Sequence, residues 1–196
     1  MANIIFIDNF DSFSYNLVDE FKALGNNVKV YRNNVNLDFI LAELKNTENS
    51  IVVISPGPGS PSEAGIIIDL IKAVKGTIPI IGICLGHQAI VEAYDGIVSH
   101  ASEIIHGKVA NIRHNNHDIF NGLSSPLSVA RYHSLVAVKV PESLRIVADV
   151  NDMVMAVVND NDRVCGLQFH PESIMTTDGT KLLKNIINWV LNKWFF

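Results

Sequence analysis

Three short runs in the first half of the chain, Asn3–Ile7, Ser50–Ser55 and Pro79–Ile83, are apolar at nearly every position instead of at alternate ones. A strand with one wet face alternates, so a strand apolar on both faces must be covered on both sides. Between these runs lie stretches with helical spacing: Ser12–Leu24, which ends at Gly25, then Leu37–Leu44, Glu63–Val74 and Leu85–Tyr94. Val28–Arg32 reads as a further strand. Buried strands alternating with amphipathic helices predict a parallel sheet with helices on both faces.

The texture changes at Ile97. Strand-like runs follow closely at Val109–Arg113, Leu127–Arg131, Leu135–Val140, Arg145–Asp149, Met153–Val158 and Val164–Phe169, separated by turn residues such as Asn115–Asn116 and Asn159–Asn161. These suggest hairpins and antiparallel additions to the sheet. A helix from about Gly179 to Trp194 closes the chain. With no repeat, low-complexity tract or linker-like stretch, one domain over residues 1–196 is expected: an open, mostly parallel α/β sheet with antiparallel strands in its second half. Sites in such sheets lie beyond the carboxyl ends of the parallel strands.

Composition removes several classes of function. Acids outnumber bases 20 to 15, and no lysine- or arginine-rich run exists to track a phosphate backbone. The start, MANIIFIDNF, lacks the basic region of a signal peptide, and no apolar run approaches the ~18 residues of a membrane span. Two cysteines without a secretory signal read as reduced thiols, so a cytoplasmic protein is expected.

The loop after Ile83 carries the most chemistry. Residues 79–88, PIIGICLGHQ, place Gly82-Ile83-Cys84-Leu85-Gly86 between an apolar strand and a helix. This is G-x-C-x-G where hydrolases carry G-x-S-x-G, a tight elbow that presents a nucleophile at a helix N-terminus. Unpaired N–H groups there favour thiolate over thiol. A lone cysteine is ordinarily a small buried hydrophobe; the strand, glycine pair and helix tip Cys84 toward nucleophile. Cys165 has no elbow and reads as core.

A thiol nucleophile needs a base and an oxyanion site. VCGLQFHPES, residues 164–173, runs a strand into His170, with Glu172 two positions on. Residues two apart on an extended segment share a side, so the carboxylate could orient the imidazole. The bland reading, a surface histidine at a strand end, loses only because the elbow is present. SPGPGSP, residues 55–61, is the oxyanion candidate: Gly57 and Gly59 admit a close ligand and Pro56, Pro58 and Pro61 stiffen the loop. Alone it would pass for a structural turn, and no Gly-Lys-Ser/Thr follows to make it a phosphate loop.

SPGPG, GICLGHQ and HPES at these spacings resemble the triad (class I) glutamine amidotransferase family over nearly the whole chain. IDNFDSFSYNL at 7–17 and HGK…RYHSL at 106–135 are most similar to the glutaminase small subunits of anthranilate synthases. IVEAY and VMAV favour these over the near relatives in aminodeoxychorismate synthases, which serve folate synthesis. The resemblance implies a flavodoxin-like fold and a Cys84–His170–Glu172 triad. It also implies an oxyanion held by backbone N–H groups in Gly57–Gly59 and at Leu85, with Pro58 between the glycines. Gln88, Ser134 and Leu135 would grip the rest of glutamine. It further implies no cofactor in this chain and, for a partner, the chorismate-binding large synthase subunit, with two of each chain. The competing classes are a stand-alone γ-glutamyl thiol hydrolase and a catalytically silent regulatory subunit.

Other residues carry smaller expectations. Asp11 and Ser12 read as caps of the first helix, in a segment that the resemblance sets near the partner. Lys108 and Arg131 read as surface or supporting charges. His106, His114 and His117 lack a carboxylate or thiol to complete a metal set and read as solvated. Asp95-Gly96 stands where the family commonly has two glycines, and Asp tolerates the left-handed conformation expected there.

Overall fold

The computed structural model describes the backbone of residues 1–192, and the side chains of all of these except 102–106 and 192. In chain order the elements are β1 (Asn3–Asp8), α1 (Ser14–Ala23), β2 (Asn27–Arg32), α2 (Leu37–Lys45), β3 (Ser50–Ile54), α3 (Ile67–Val74), β4 (Ile80–Ile83) and α4 (Leu85–Ala93). β5 (Ile97–His114), β6 (Leu127–Lys139), β7 (Arg145–Val150), β8 (Met153–Asn159), β9 (Val164–Leu167) and α5 (Gly179–Asn192) follow. One nine-stranded sheet runs β2-β1-β3-β4-β9-β8-β7-β5-β6.

The unalternating runs are buried on both sides, as their composition requires. Ile4, Phe6, Ile51, Val53, Ile81 and Ile83 face α1 and α5 through Leu17, Phe21, Leu183 and Ile186. Ile5, Ile7, Val52, Ile54 and Ile80 face α2, α3 and α4 through Ile40, Leu70, Ile71 and Ile90. At ~25 cal/mol per Å² of apolar surface removed from water, these two layers are the main source of stability.

β9 departs most informatively from expectation. It is antiparallel to β8 yet parallel to β4, so it sits inside the sheet as the seam between the two halves. Ile83 pairs with Leu167 in register, and the Cys84 N–H donates to the Leu167 carbonyl at 2.7 Å. The carboxyl ends of β4 and β9 therefore emerge side by side, which brings the elbow next to HPES.

Smaller differences have local causes. The runs expected as separate strands across 127–140 form one strand, β6, paired to a long β5 whose register shifts at three places. Those irregularities break the period by which the sequence is read. Pro61–Glu63 is a 3-10 turn, and Gly65 at φ 62° delays α3 to Ile67. α1 begins at Ser14 with Phe13 as N-cap, so neither Asp11 nor Ser12 caps it; Asp11 instead accepts from the Phe13 N–H at 2.8 Å. The expected helix end at Trp194, and the His106 side chain, lie outside the described residues.

His114 and His117 are buried, against the expectation of solvated surface. His114 stacks on Phe120 with centroids 4.4 Å apart, and His117 meets Asp160 at 3.2 Å and the edge of Trp189 at 5.2 Å. They are packing residues, and no cluster among the described residues has metal-ligand character. No helix among the described residues is long and apolar enough to cross a membrane.

Asp95 adopts φ 69°, the left-handed conformation expected of it, while the next glycine is needed for room: a Cβ on Gly96 would lie 2.5 Å from Val91. A side chain in this conformation costs ~1–2 kcal/mol. Asp95→Gly is therefore expected to stabilise the fold by about 0.5–1 kcal/mol, after allowance for glycine's freer unfolded state. Urea denaturation should show a raised midpoint at unchanged slope; an unmoved midpoint would mean Asp95 is not strained.

Candidate active site

Cys84 stands at the junction of β4 and α4 with φ 53° and ψ −100°, outside the regions that side chains favour. Close packing around it makes the turn possible. A Cβ on Gly82 would lie 2.4 Å from the Gly86 backbone, and one on Gly86 2.4 Å from the Ile54 carbonyl. Neither clash could be relieved without moving backbone, so the elbow needs both glycines. Backbone strain held by this packing keeps the sulfur at the end of the sheet and at the start of α4, whose first N–H groups lack intrahelical partners.

His170 is positioned from two sides. Its N–H donates to the Ala130 carbonyl at 3.0 Å, and its own carbonyl accepts from the Thr176 hydroxyl at 2.7 Å, tying it to β6. β9 ends at Leu167 and Glu172 lies in a turn, so the two side chains do not meet through extended-strand spacing as expected. The turn still joins them: His170 Nδ1 and Glu172 Oε1 are 2.6 Å apart, with only 9% and 2% of the side chains exposed. Nε2 makes no hydrogen bond in this resting geometry and is the nitrogen left for chemistry. Burial disfavours charge on the ring, but Cys84 and Glu172 together outweigh it and raise the His170 pKa to about 10. Both neighbours thus favour the protonated ring, the form from which a proton can be donated.

A cavity of about 440 Å³ opens over these groups, lined among others by Asp11, Phe13, Pro56, Gly57, Cys84, Tyr132, His170, Glu172 and Ile174. Its rim is apolar, with Phe13 60% and Ile174 98% exposed. Tyr132 meets the His170 ring edge-on with centroids 5.3 Å apart. Half-burial raises the Asp11 pKa, partly offset by the Phe13 N–H and His170. Sequence reading gave no role to Tyr132, Ser173 or Ile174: the first two lie inside the quoted RYHSL and HPES stretches and Ile174 just beyond, and folding brings all three to the cavity.

Gly57 lies against both the elbow and the loop after β1. A Cβ there would come 2.5 Å from Asn9 and 2.9 Å from Leu85. A buried network fixes this approach: the Asn9 N–H donates to Ser55 Oγ at 2.8 Å, Asn9 Nδ2 to the Ser55 carbonyl at 2.9 Å, and Asn33 Nδ2 to Asn9 Oδ1 at 2.9 Å. Pro58 and Gly59 are exposed. Gln88 points beneath the cavity, where Nε2 donates to the Leu135 carbonyl at 3.0 Å. Ser134 and Leu135 are half-buried on β6, beside Tyr132. Arg131 and His133 are buried beside them, and Lys108 is exposed.

Cys165 is fully buried, and that burial pushes its thiol pKa up. An electrophilic glutamine analogue such as a diazo-ketone should therefore label Cys84 and spare Cys165, as peptide mapping would show. Label on Cys165, or on neither thiol in the assembled complex, would remove Cys84 from the nucleophile's role.

Comparison with known proteins shows the family of the chain. The family model "Glutamine amidotransferase class-I" matches residues 5–189. The chain is 61% identical over 193 residues to anthranilate synthase component 2 of Vibrio parahaemolyticus, covering 98% of each chain. It is 50% identical to the protein of that name from Haemophilus influenzae, covering 98% of this chain and 100% of the other. Among solved structures, a glutamine amidotransferase from Thermotoga maritima superposes with TM-score 0.73 at 16% identity, over 97% of this chain and 98% of that one. At that identity the likeness speaks for the fold alone.

Proposed function

The chain belongs to the class-I glutamine amidotransferase family, and from that premise we propose that it is the glutaminase subunit of an anthranilate synthase. It hydrolyses L-glutamine and passes ammonia to a chorismate-binding large subunit, which makes anthranilate for tryptophan synthesis. What carries this reading is the meeting of Cys84, His170 and Glu172 in one cavity, in a chain alike end to end to proteins named anthranilate synthase component 2.

The geometry supports a two-stage reaction. The Cys84 thiolate adds to the carboxamide carbon of glutamine, and the oxyanion forms between the Gly57–Gly59 backbone and the N-terminus of α4 at Leu85. His170 gives its proton to the nitrogen as the C–N bond breaks, which releases ammonia and leaves a γ-glutamyl thioester on Cys84. The neutral imidazole then takes a proton from water as its oxygen adds to the thioester carbon. Collapse breaks the C–S bond, frees glutamate and returns the thiolate beside an imidazolium. Glu172 holds Nδ1 throughout, so Nε2 carries the proton in both stages. Gln88, Ser134 and Leu135 do not line the cavity itself but lie behind its Tyr132 side, toward which the rest of glutamine would extend. No cofactor enters any step.

The exposed apolar rim of Phe13 and Ile174 suits a covering subunit through which ammonia can leave without meeting bulk water, in a complex with two copies of each chain. The test is chromatographic identification of the product when this chain, glutamine and chorismate are combined with the large subunit that co-purifies with it. Anthranilate is expected. 4-Amino-4-deoxychorismate would move the chain to folate synthesis, and glutamate formation indifferent to any partner would make it a stand-alone hydrolase.

A further inference from the structure

Gln168, between β9 and His170, is fully buried and belongs to none of the groups discussed so far. Its Oε1 accepts from Gln88 Nε2 at 3.2 Å, and its Nε2 lies 3.8 Å from Cys84 Sγ, within hydrogen-bonding reach of sulfur. Amide ends are easily interchanged, so the direction of this contact must come from its surroundings. Gln88 Nε2 also faces the Leu135 carbonyl, which can only accept. That makes the Gln88 atom the NH₂ group, so the Gln168 atom facing it must be oxygen and the one facing sulfur must be the donor.

The far end of the chain agrees. The Leu135 carbonyl also faces His133 Nδ1 at 3.1 Å, and Arg131 Nε, which can only donate, points at His133 Nε2 at 3.2 Å. Burial, helped by the Arg131 charge, lowers the His133 pKa to about 4. The ring is therefore neutral, with its proton on Nδ1. His133 and Gln88 thus both donate to the Leu135 carbonyl, and from Gln88 donation runs on through Gln168 to the sulfur; each polar side chain in the cluster is at most 9% exposed.

We infer that Gln168 is a further catalytic residue of the glutaminase reaction, whose side-chain N–H stabilises negative charge on Cys84 Sγ. The inference rests on the reading of Cys84 as nucleophile. A neutral thiol is a poor acceptor and a thiolate a strong one, so a buried donor aimed at sulfur is worth most when the sulfur is charged. The sulfur carries charge twice per cycle: before it adds to glutamine, and again when it leaves the thioester carbon. The Tyr132 carbonyl, 3.9 Å from the sulfur, can interact favourably only with the thiol form, so among these groups the thiolate is served by His170 and by the Gln168 donor.

Alkylation of Cys84 by iodoacetamide across a range of pH tests this without glutamine or a partner chain. His170, Glu172, Asp11, Tyr132, His133 and Arg131 supply the charged and titratable surroundings, and all remain in a Gln168 variant. Gln168→Met, which keeps volume and loses the donor, should be alkylated about tenfold more slowly at neutral pH and regain the wild-type rate at alkaline pH. Gln168→Glu should be slower still, since a carboxylate would face the sulfur. A pH–rate profile of folded Gln168→Met that overlies the wild type would overturn the inference. Should neither variant fold, the side-chain amide resonances of Gln168 in ¹⁵N-labelled wild-type protein give the answer: they should move when Cys84 is alkylated, and unmoved resonances would equally overturn it. Either failure leaves the glutaminase reading standing, whereas that reading falls if the glutamine analogue fails to label Cys84.

Discussion

Cys84→Ser, combined with the chorismate-using subunit, is expected to abolish glutamine-dependent anthranilate formation and to leave ammonia-dependent formation at the wild-type level. The serine hydroxyl is too weakly acidic to attack at neutral pH without a site built to activate it. Losing a nucleophile in such a constellation costs on the order of 10⁴-fold or more. Serine is nearly isosteric, and the strained backbone at this position is set by Gly82 and Gly86 rather than by the side chain, so assembly should survive. Supplied ammonium bypasses the glutaminase step, because nothing in the cavity over Cys84 is needed to aminate chorismate. Loss of the ammonia reaction in an intact Cys84→Ser complex would show that this chain does more than deliver ammonia.

His170→Ala should be nearly as damaging, and Glu172→Gln clearly less so. The imidazole serves both stages, as acid and then as base, and such groups are worth ~10²–10⁴-fold. Glu172 acts through the ring: its 2.6 Å contact holds Nδ1 and helps to keep the imidazole charged. A glutamine there keeps the bulk and an acceptor for Nδ1–H but gives up the charge. Steady-state glutamine hydrolysis in the complex distinguishes the two. Equal losses would show that Glu172 does more than orient and charge the ring, and high activity in His170→Ala would remove the histidine from the chemistry.

The meeting of Cys84, His170 and Glu172 in one place was legible because each carries a local signature. Cys84 lies between glycines at a strand-to-helix change, and His170-Pro171-Glu172 ends an apolar run. The parallel half was legible for a related reason, since a strand apolar on both faces has no other stable home. What stayed hidden depends on distant partners. VCGL is equally at home in a parallel or an antiparallel pair, so nothing in it foretold that β9 joins the two halves. The polar stretch around His114 and His117 looks solvated until Phe120 and Trp189 cover it. Gln168 belongs to no recognisable pattern of its own. Its place is defined by an amide on α4 and a carbonyl on β6, far from it in the chain.

The seam position of β9 has a consequence for biosynthesis. A ribosome makes β4 and its cysteine early and β9 late, but β9 occupies a central place in the sheet. Until it inserts, β4 and β8 each present an open edge of unpaired peptide groups, beside apolar surface that α5 has yet to cover. The nascent chain is then at its most aggregation-prone, and it is also chemically inert, for the nucleophile exists without its base. Only with β9 between β4 and β8 are both edges paired and His170 beside Cys84. Turnover therefore begins only in molecules whose sheet is complete, and a half-made chain cannot squander glutamine.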